Sequence, residues 1–209
     1  MKKLPEKTIE RLSKYRRVLL ENLANGKTHI YSHELALFQN LTAVQVRRDL
    51  MFIGYSSSQK KGYDIKELVN VIGEVLDTDK GMNVGVVGIG NLGMAVTSYF
   101  TGKRSKLNIV AAFDIDPQKI SRVISGVKVY SVNDLEEIIK KEKISIIILA
   151  VPIDAAAATA ERLVIAGIKG ILNFTTYPLN VPNSVFHEDY DMITSLEKVA
   201  YYVKKQNGK

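Results

Sequence analysis

The sequence predicts an α/β protein in two parts, a basic helical module followed by a parallel sheet covered by helices on both faces. Three observations predict it. Apolar Val/Ile runs at 83–87, 107–114, 128–130, 144–151 and 171–174 are separated by helical patterns at 92–100, 132–142 and 154–166, the alternation that parallel strands with crossover helices require. The first run enters Gly88-Ile89-Gly90-Asn91-Leu92-Gly93, a GxGxxG turn leading into a helix. The formal charge of +7 is confined to the first third: residues 1–62 hold 12 Lys or Arg against 5 Asp or Glu, and residues 63–209 hold 17 of each.

In chain order, Pro5 opens a helix whose apolar side follows Ile9, Leu12, Tyr15, Leu19, Leu20 and Leu23, and Asn25-Gly26 ends it. A short apolar stretch at 28–31 precedes Ser32, which is expected to cap a short helix at 34–38. Gln39-Asn40-Leu41 then turns, and Thr42 caps a third helix carrying Val44, Val46, Leu50 and Met51. The order of long helix, short helix, tight turn and third helix matches a helix-turn-helix. Residues 55–62 are polar, and either a hairpin wing or a plain linker accounts for them. An amphipathic helix at 65–76 ends in the polar segment 77–81, where the domain boundary is expected.

On the third helix, Thr42, Gln45, Arg48 and Asp49 are assigned to the face opposite Val46 and Leu50, with Arg47 flanking it. Gln and Arg can pair bidentately with adenine and guanine edges, while the hydroxyls of Ser32 and Thr42 suit phosphates. In a wing, Lys60 and Lys61 would lie at the phosphate backbone. A solvated, ordinarily charged helix face is the competing reading. A basic module joined to a neutral one suggests that the first meets a polyanion and the second does something else.

The glycine turn predicts a pyrophosphate cradle in a Rossmann-type fold. Gly88 permits the tight turn, Gly90 lets the backbone approach the phosphates, and Gly93 lets the helix sit close on the strand. Ile89, Asn91 and Leu92 complete the loop. Asp114 ends the second strand 21 residues beyond Gly93, where a carboxylate accepts hydrogen bonds from the adenine ribose. That favours NADH and NAD+ over their 2′-phosphorylated forms, with CoA or another nucleotide as the alternative. Lys119 and Arg122, a turn or so later, read as surface charges, with an offset to the Asp114 preference as the alternative. Val151 and Pro152 leave the fourth strand, and Phe174 leaves the fifth, at the sheet edge where a dinucleotide passes.

Composition narrows the chemistry. The chain has 46% hydrophobic residues, enough for a packed core, and no cysteine, which removes disulfides, thiol nucleophiles and thiolate metal sites. Of His29, His33 and His187, none is expected at a strand end near the cradle, and no His/Asp/Glu group has metal-ligand spacing, so neither a catalytic residue nor a metal is predicted. With no apolar run of about 18 residues and a charged N-terminus, a cytoplasmic protein without a membrane partner is expected.

The chain resembles the Rex family of redox-sensing transcriptional repressors over nearly its whole length. The resemblance is carried by residues 5–20 with Arg11-Leu12 and Tyr15, by Thr42-Ala43-Val44-Gln45-Val46-Arg47-Arg48-Asp49-Leu50, by the Gly88 to Gly93 turn, by Phe113-Asp114-Ile115-Asp116-Pro117, and by residues 166–174. It implies a homodimer with an N-terminal winged helix (1–80), a Rossmann NAD(H) domain (81–190) and a C-terminal helix exchanged between subunits (191–209). It further implies a repressor that binds double-stranded operator DNA and releases it when NADH binds, NAD+ competing. Arg17, Asp191 and Tyr99 match the family's switch, in which the Asp pairs with the Arg in the DNA-competent state and with the Tyr in the NADH state. Two departures are visible. The family's glycine-rich wing reads Phe52-Ile53-Gly54-Tyr55-Ser56-Ser57-Ser58-Gln59-Lys60-Lys61-Gly62-Tyr63 here, and its usual Ala-Pro after Asn173-Phe174 is Thr175-Thr176. Two rival functions stay open: an NAD-dependent oxidoreductase whose N-terminal domain only dimerises it, and a Rex-like paralogue that has lost DNA.

Overall fold

Continuous Val/Ile runs need both faces of a sheet covered, and the C-terminal part of the chain meets that need with helices on each side. The structure, a computed structural model, describes residues 4–56, 61–100 and 106–207. It divides into two compact units, Met1–Asp79 and Lys80–Lys209. Lys60 lies outside the described residues.

The first unit is built from α1 (Glu6–Ala24), β1 (His29–Ile30), α2 (Ser32–Leu37), α3 (Ala43–Phe52), β2 (Tyr63–Asp64) and α4 (Ile65–Leu76). Leu12, Tyr15 and Leu19 of α1, Leu35 of α2, Val46 and Leu50 of α3, and Ile65, Leu68 and Ile72 of α4 form its core. β1 and β2 pair antiparallel through His29 and Asp64, Ile30 and Tyr63. Tyr55, expected in the polar loop, is instead buried in this core, with its hydroxyl donating to Glu67 over 2.9 Å.

Two expectations for this unit are corrected. Ser32 is not a cap: it is the first residue of α2, and Glu34 closes the helix start by accepting from the Tyr31 amide at 2.8 Å. The larger correction concerns α3. Its inward line runs through Val46, Asp49, Leu50 and Ile53, the i, i+3, i+4, i+7 spacing of one helix face. Its outward line runs through Val44, Arg47, Arg48 and Met51, so Val44 (61% exposed) and Met51 (70%) point to solvent while Asp49 is fully buried. The helix thus carries an acid on its core side and apolar residues on its open side. Thr42 does cap it, accepting from the Gln45 amide at 3.2 Å.

The second unit contains β3 (Met82–Val87), α5 (Asn91–Phe100), β4 (Leu107–Asp114), β5 (Val123–Ile124), β6 (Val127–Ser131), α6 (Leu135–Lys141), β7 (Ile144–Leu149), α7 (Ile153–Ile165), β8 (Gly170–Asn173), β9 (Phe186–Asp189) and α8 (Met192–Asn207). Its seven strands run in the order β5-β6-β4-β3-β7-β8-β9. All neighbouring pairs are parallel except β5 and β6, which form a hairpin. One face packs on α6 and α7 through Leu135, Ile138, Ala160 and Leu163, and the other packs on α5 through Ile89 and Val96. The order reverses direction at β3, which lies between β4 and β7; this is the switch point where α/β sheets open a crevice at their carboxyl edge.

Candidate dinucleotide site and nucleic-acid face

The crevice is made by backbone geometry. Val87 ends β3, and Gly88 follows with φ +92°, its amide donating to Phe113 and a Cβ there falling 2.4 Å from the Ala150 carbonyl oxygen. The Ala150 amide donates to Val87 at 2.8 Å, which locks the ends of β3 and β7 together. A Cβ on Gly93 would meet the Gly88 carbonyl at 1.9 Å, so only glycine lets α5 approach the turn so closely. Gly90 differs from both. Nothing lies within 4 Å of the Cβ it lacks, so no protein atom requires a glycine there. The space above Gly90 is open, at the N-terminus of α5, where backbone amides favour an anion. Asn91 is exposed on this loop, Leu92 is partly buried, and Ile89 is anchored in the core.

Asp114 closes the site at the carboxyl end of β4 and is 7% exposed. Its Oδ2 accepts from the Ile89 amide at 2.8 Å and from Lys119 Nζ at 3.2 Å, and its Oδ1 accepts from the Asp116 amide at 2.9 Å. Burial pushes its carboxyl up, but the Asp116 and Ile89 amides and the Lys119 ammonium outweigh that and hold it below the usual carboxylate range. Lys119 is therefore no plain surface charge, as it also lies 3.7 Å from Asp116. Sequence reasoning has Lys119 as an offset to Asp114 only as the second choice after a surface charge, although one turn between the two is a spacing that permits the pairing.

At the ends of β7 and β8, Val151 is half-buried and Pro152 exposed, and Phe174 stacks obliquely on Tyr190 with ring centroids 5.1 Å apart. Asn173 is buried, donating to the Tyr177 carbonyl and to Asp189 and accepting from the Thr175 amide and hydroxyl. The loop after β8 is thus tied to β9 from within, and Thr175 has an internal role as the partner of Asn173.

In the first unit, Arg47 and Arg48 are exposed on the outward line of α3. Arg47 Nη1 donates to Ser32 Oγ at 3.0 Å, which couples the start of α2 to the open side of α3. Thr42 is exposed, and Lys61 is exposed at the end of the loop before β2. Gln45 turns its amide inward: Nε2 donates to Asp49 Oδ1 at 2.9 Å. Arg11 donates from Nε to Oδ2 at 2.6 Å and from Nη2 to Oδ1 at 2.7 Å, and the Tyr15 hydroxyl donates to Oδ2 at 2.9 Å. The hydrogen bond to Asp49 holds the Arg11 guanidinium above its ordinary value, and burial pushes the Tyr15 hydroxyl up. The expected placement of Asp49 on the open face is therefore overturned. Tyr15 on the buried line of α1 was the available signal, since a buried hydroxyl needs a polar partner.

Of the three switch candidates, Arg17 is exposed on α1, and Tyr99 is exposed on α5 with its ring edge against Phe100. Asp191 caps α8, accepting from the Thr194 hydroxyl (2.6 Å) and from the Thr194 and Ile193 amides, bonds that hold its carboxyl below the usual range. Among the described residues, no group of His, Asp and Glu could hold a metal ion, and no helix is long and apolar enough to cross a membrane.

Two family models match the chain. One, described as a putative DNA-binding protein N-terminus, covers residues 3–50, and the other, described as a CoA binding domain, covers residues 79–177. The redox-sensing transcriptional repressor Rex of Listeria welshimeri is 35% identical over 207 residues, 99% of this chain and 96% of that protein. That of Lactobacillus gasseri is 36% identical, with 99% and 97% covered. Among solved structures, RSP, a Rex-family repressor, in complex with β-NAD+ and operator DNA matches with a TM-score of 0.90 and 38% identity, covering 99% of this chain and 95% of that one. RSP in complex with β-NADH matches with a TM-score of 0.86 and 37% identity, with 99% and 97% covered.

Proposed function

The chain belongs to the Rex family of redox-sensing transcriptional repressors, and from that premise we propose that it represses transcription by binding double-stranded operator DNA through α3 and leaves the operator when NADH occupies the second unit. It is a repressor and not an enzyme. The single observation that carries this reading is the outward line of α3, where Arg47 and Arg48 stand on the open side of a basic unit. Arg pairs with guanine edges, and Ser32, Thr42, Lys60 and Lys61 suit phosphates.

In the second unit, the amides at the start of α5, those of Asn91 and Leu92 among them, would hold the pyrophosphate over Gly90, while Gly88 and Ile89, whose amides go to Phe113 and Asp114, would shape the turn beneath it. Asp114 would accept the ribose hydroxyls, and Val151, Pro152 and Phe174 would flank the nicotinamide end. The cofactor supplies no group transfer here; its redox state is the signal. Asp114 accepts two bonds on Oδ2 and one on Oδ1, which leaves acceptor capacity on Oδ1 for a ribose hydroxyl and supports NADH and NAD+ as the ligands.

The protein is proposed to act as a cytoplasmic homodimer without a membrane partner, divided into residues 1–80, 81–190 and 191–209. The exposed apolar side chains of α8, Ile193, Leu196, Val199 and Tyr202 among them, support its exchange between subunits. Arg17, Asp191 and Tyr99 would form the bistable element: Asp191 pairs with Arg17 of the other subunit in the DNA-bound arrangement and with Tyr99 in the NADH arrangement, a coupling of about 1 to 3 kcal/mol. A mobility-shift assay with the chain's own upstream intergenic duplex tests the reading. A shift that NADH weakens, and that the Arg47→Ala/Arg48→Ala double variant abolishes, is expected. No shift at moderate salt would refute it.

A further inference from the structure

Asp49 is an acid placed on the core side of a helix whose open side is proposed to read DNA. Its two oxygens accept four hydrogen bonds, from Arg11 Nη2 and Gln45 Nε2 on Oδ1 and from Arg11 Nε and the Tyr15 hydroxyl on Oδ2. A carboxylate in an ion pair with a guanidinium is ionised and accepts only. The side-chain amide of Gln45 can therefore face Asp49 in one sense alone, NH2 inward, because the flipped amide would set its carbonyl oxygen against a charged oxygen. Flipping is thereby forbidden, and Gln45 Oε1 is turned away from Asp49. Gln45 is the third residue of α3, in the first turn of the helix, the part of a recognition helix that contacts base edges.

We propose that Asp49 is a specificity-positioning residue: it fixes Gln45 so that α3 presents a hydrogen-bond acceptor to an exocyclic amine in the major groove, cytosine N4 or adenine N6. The inference rests on the reading of α3 as the DNA-facing helix. A glutamine free to turn offers a donor or an acceptor to any base edge; the tethered one favours bases that carry an amine and disfavours guanine and thymine, which offer only acceptors at the corresponding positions. Arg11 and Tyr15 act behind Asp49, saturating its remaining capacity so that the carboxylate has one orientation.

Selection of bound duplexes from a randomised double-stranded library, done in parallel with the full-length wild type, Asp49→Asn and Gln45→Leu, tests this. With wild type, one position in each half-site should favour cytosine or adenine over guanine or thymine by roughly tenfold. Gln45→Leu, which leaves the Arg11–Asp49–Tyr15 group intact, should erase that preference and keep the others. Asp49→Asn, whose amide can donate to Gln45 as well as accept, should relax the same position. If either variant that retains DNA binding weakens every position equally, or leaves the amine preference unchanged, the inference is overturned. If the wild type itself selects no sequence, the DNA reading fails instead, which is a distinguishable result.

Discussion

Asp49 and Asp114 are both nearly or fully buried carboxylates, one in each unit, and they are used in opposite ways. Asp49 is saturated by side chains of its own unit, with a guanidinium, a phenol and an amide filling both oxygens. Asp114 takes two backbone amides and one exposed-side lysine and sits at the mouth of a crevice. The difference teaches that burial alone does not separate an architectural acid from one proposed to bind a ligand; the contrast lies in how far protein donors use up the oxygens. The glycines divide in the same manner, as Gly93 is demanded by a protein carbonyl and Gly90 by nothing in the protein.

The contrast is broken most severely by Asp49→Ala, which strands Arg11, a residue with 19% side-chain exposure, beside a buried phenol. The first unit should lose about 3 kcal/mol, the low end for breaking a buried pair because Arg11 keeps some water contact. Chemical unfolding of the full chain checks it. Gly93→Ala should cost about 3 kcal/mol in the second unit, because a methyl 1.9 Å from a backbone oxygen forces α5 away from the turn. Gly90→Ala sharpens the comparison. Stability should stay within about 0.5 kcal/mol, while NADH affinity measured by fluorescence titration falls by about tenfold or more. Asp114→Asn should lower NADH affinity about tenfold, the worth of one hydrogen bond to a charged group.

The smallest effect is in pH. Asp114 is held below its ordinary value when folded, so its contribution is fully present above the unfolded pKa of about 3.9 and is lost as pH falls through the folded value. Stability of the second unit should therefore show no pH dependence from this group between pH 7 and 5, where its contribution is fully present, and should lose that contribution below about pH 4. Asp114→Asn should lack that acid-limb component.

Much of the fold was legible. The strand at 107–114 and the helix at 65–76 have the bounds their apolar patterns indicate, because a doubly covered strand and an amphipathic helix each leave a strong periodic trace. β9 left none: it is a sheet-edge strand, and its His187, Glu188 and Asp189 are polar because one side of it meets solvent. The face of α3 was assigned partly backwards for a related reason. Hydrophobicity locates a core only when apolar residues are inside, and here Val44 and Met51 are outside while Asp49 is inside. The tight turn was readable from its glycines, but the tie between Asp114 and Lys119 belongs to the turn after β4 and not to any motif.

The most direct test of the central claim is a fluorescence-anisotropy titration of a preformed complex between the chain and a labelled operator duplex, with NADH and NAD+ added separately. Release by NADH at a concentration at least tenfold below that at which NAD+ has any effect is predicted, with NAD+ shifting the NADH midpoint upward by competition. Equal release by both, or a complex indifferent to either, would contradict it.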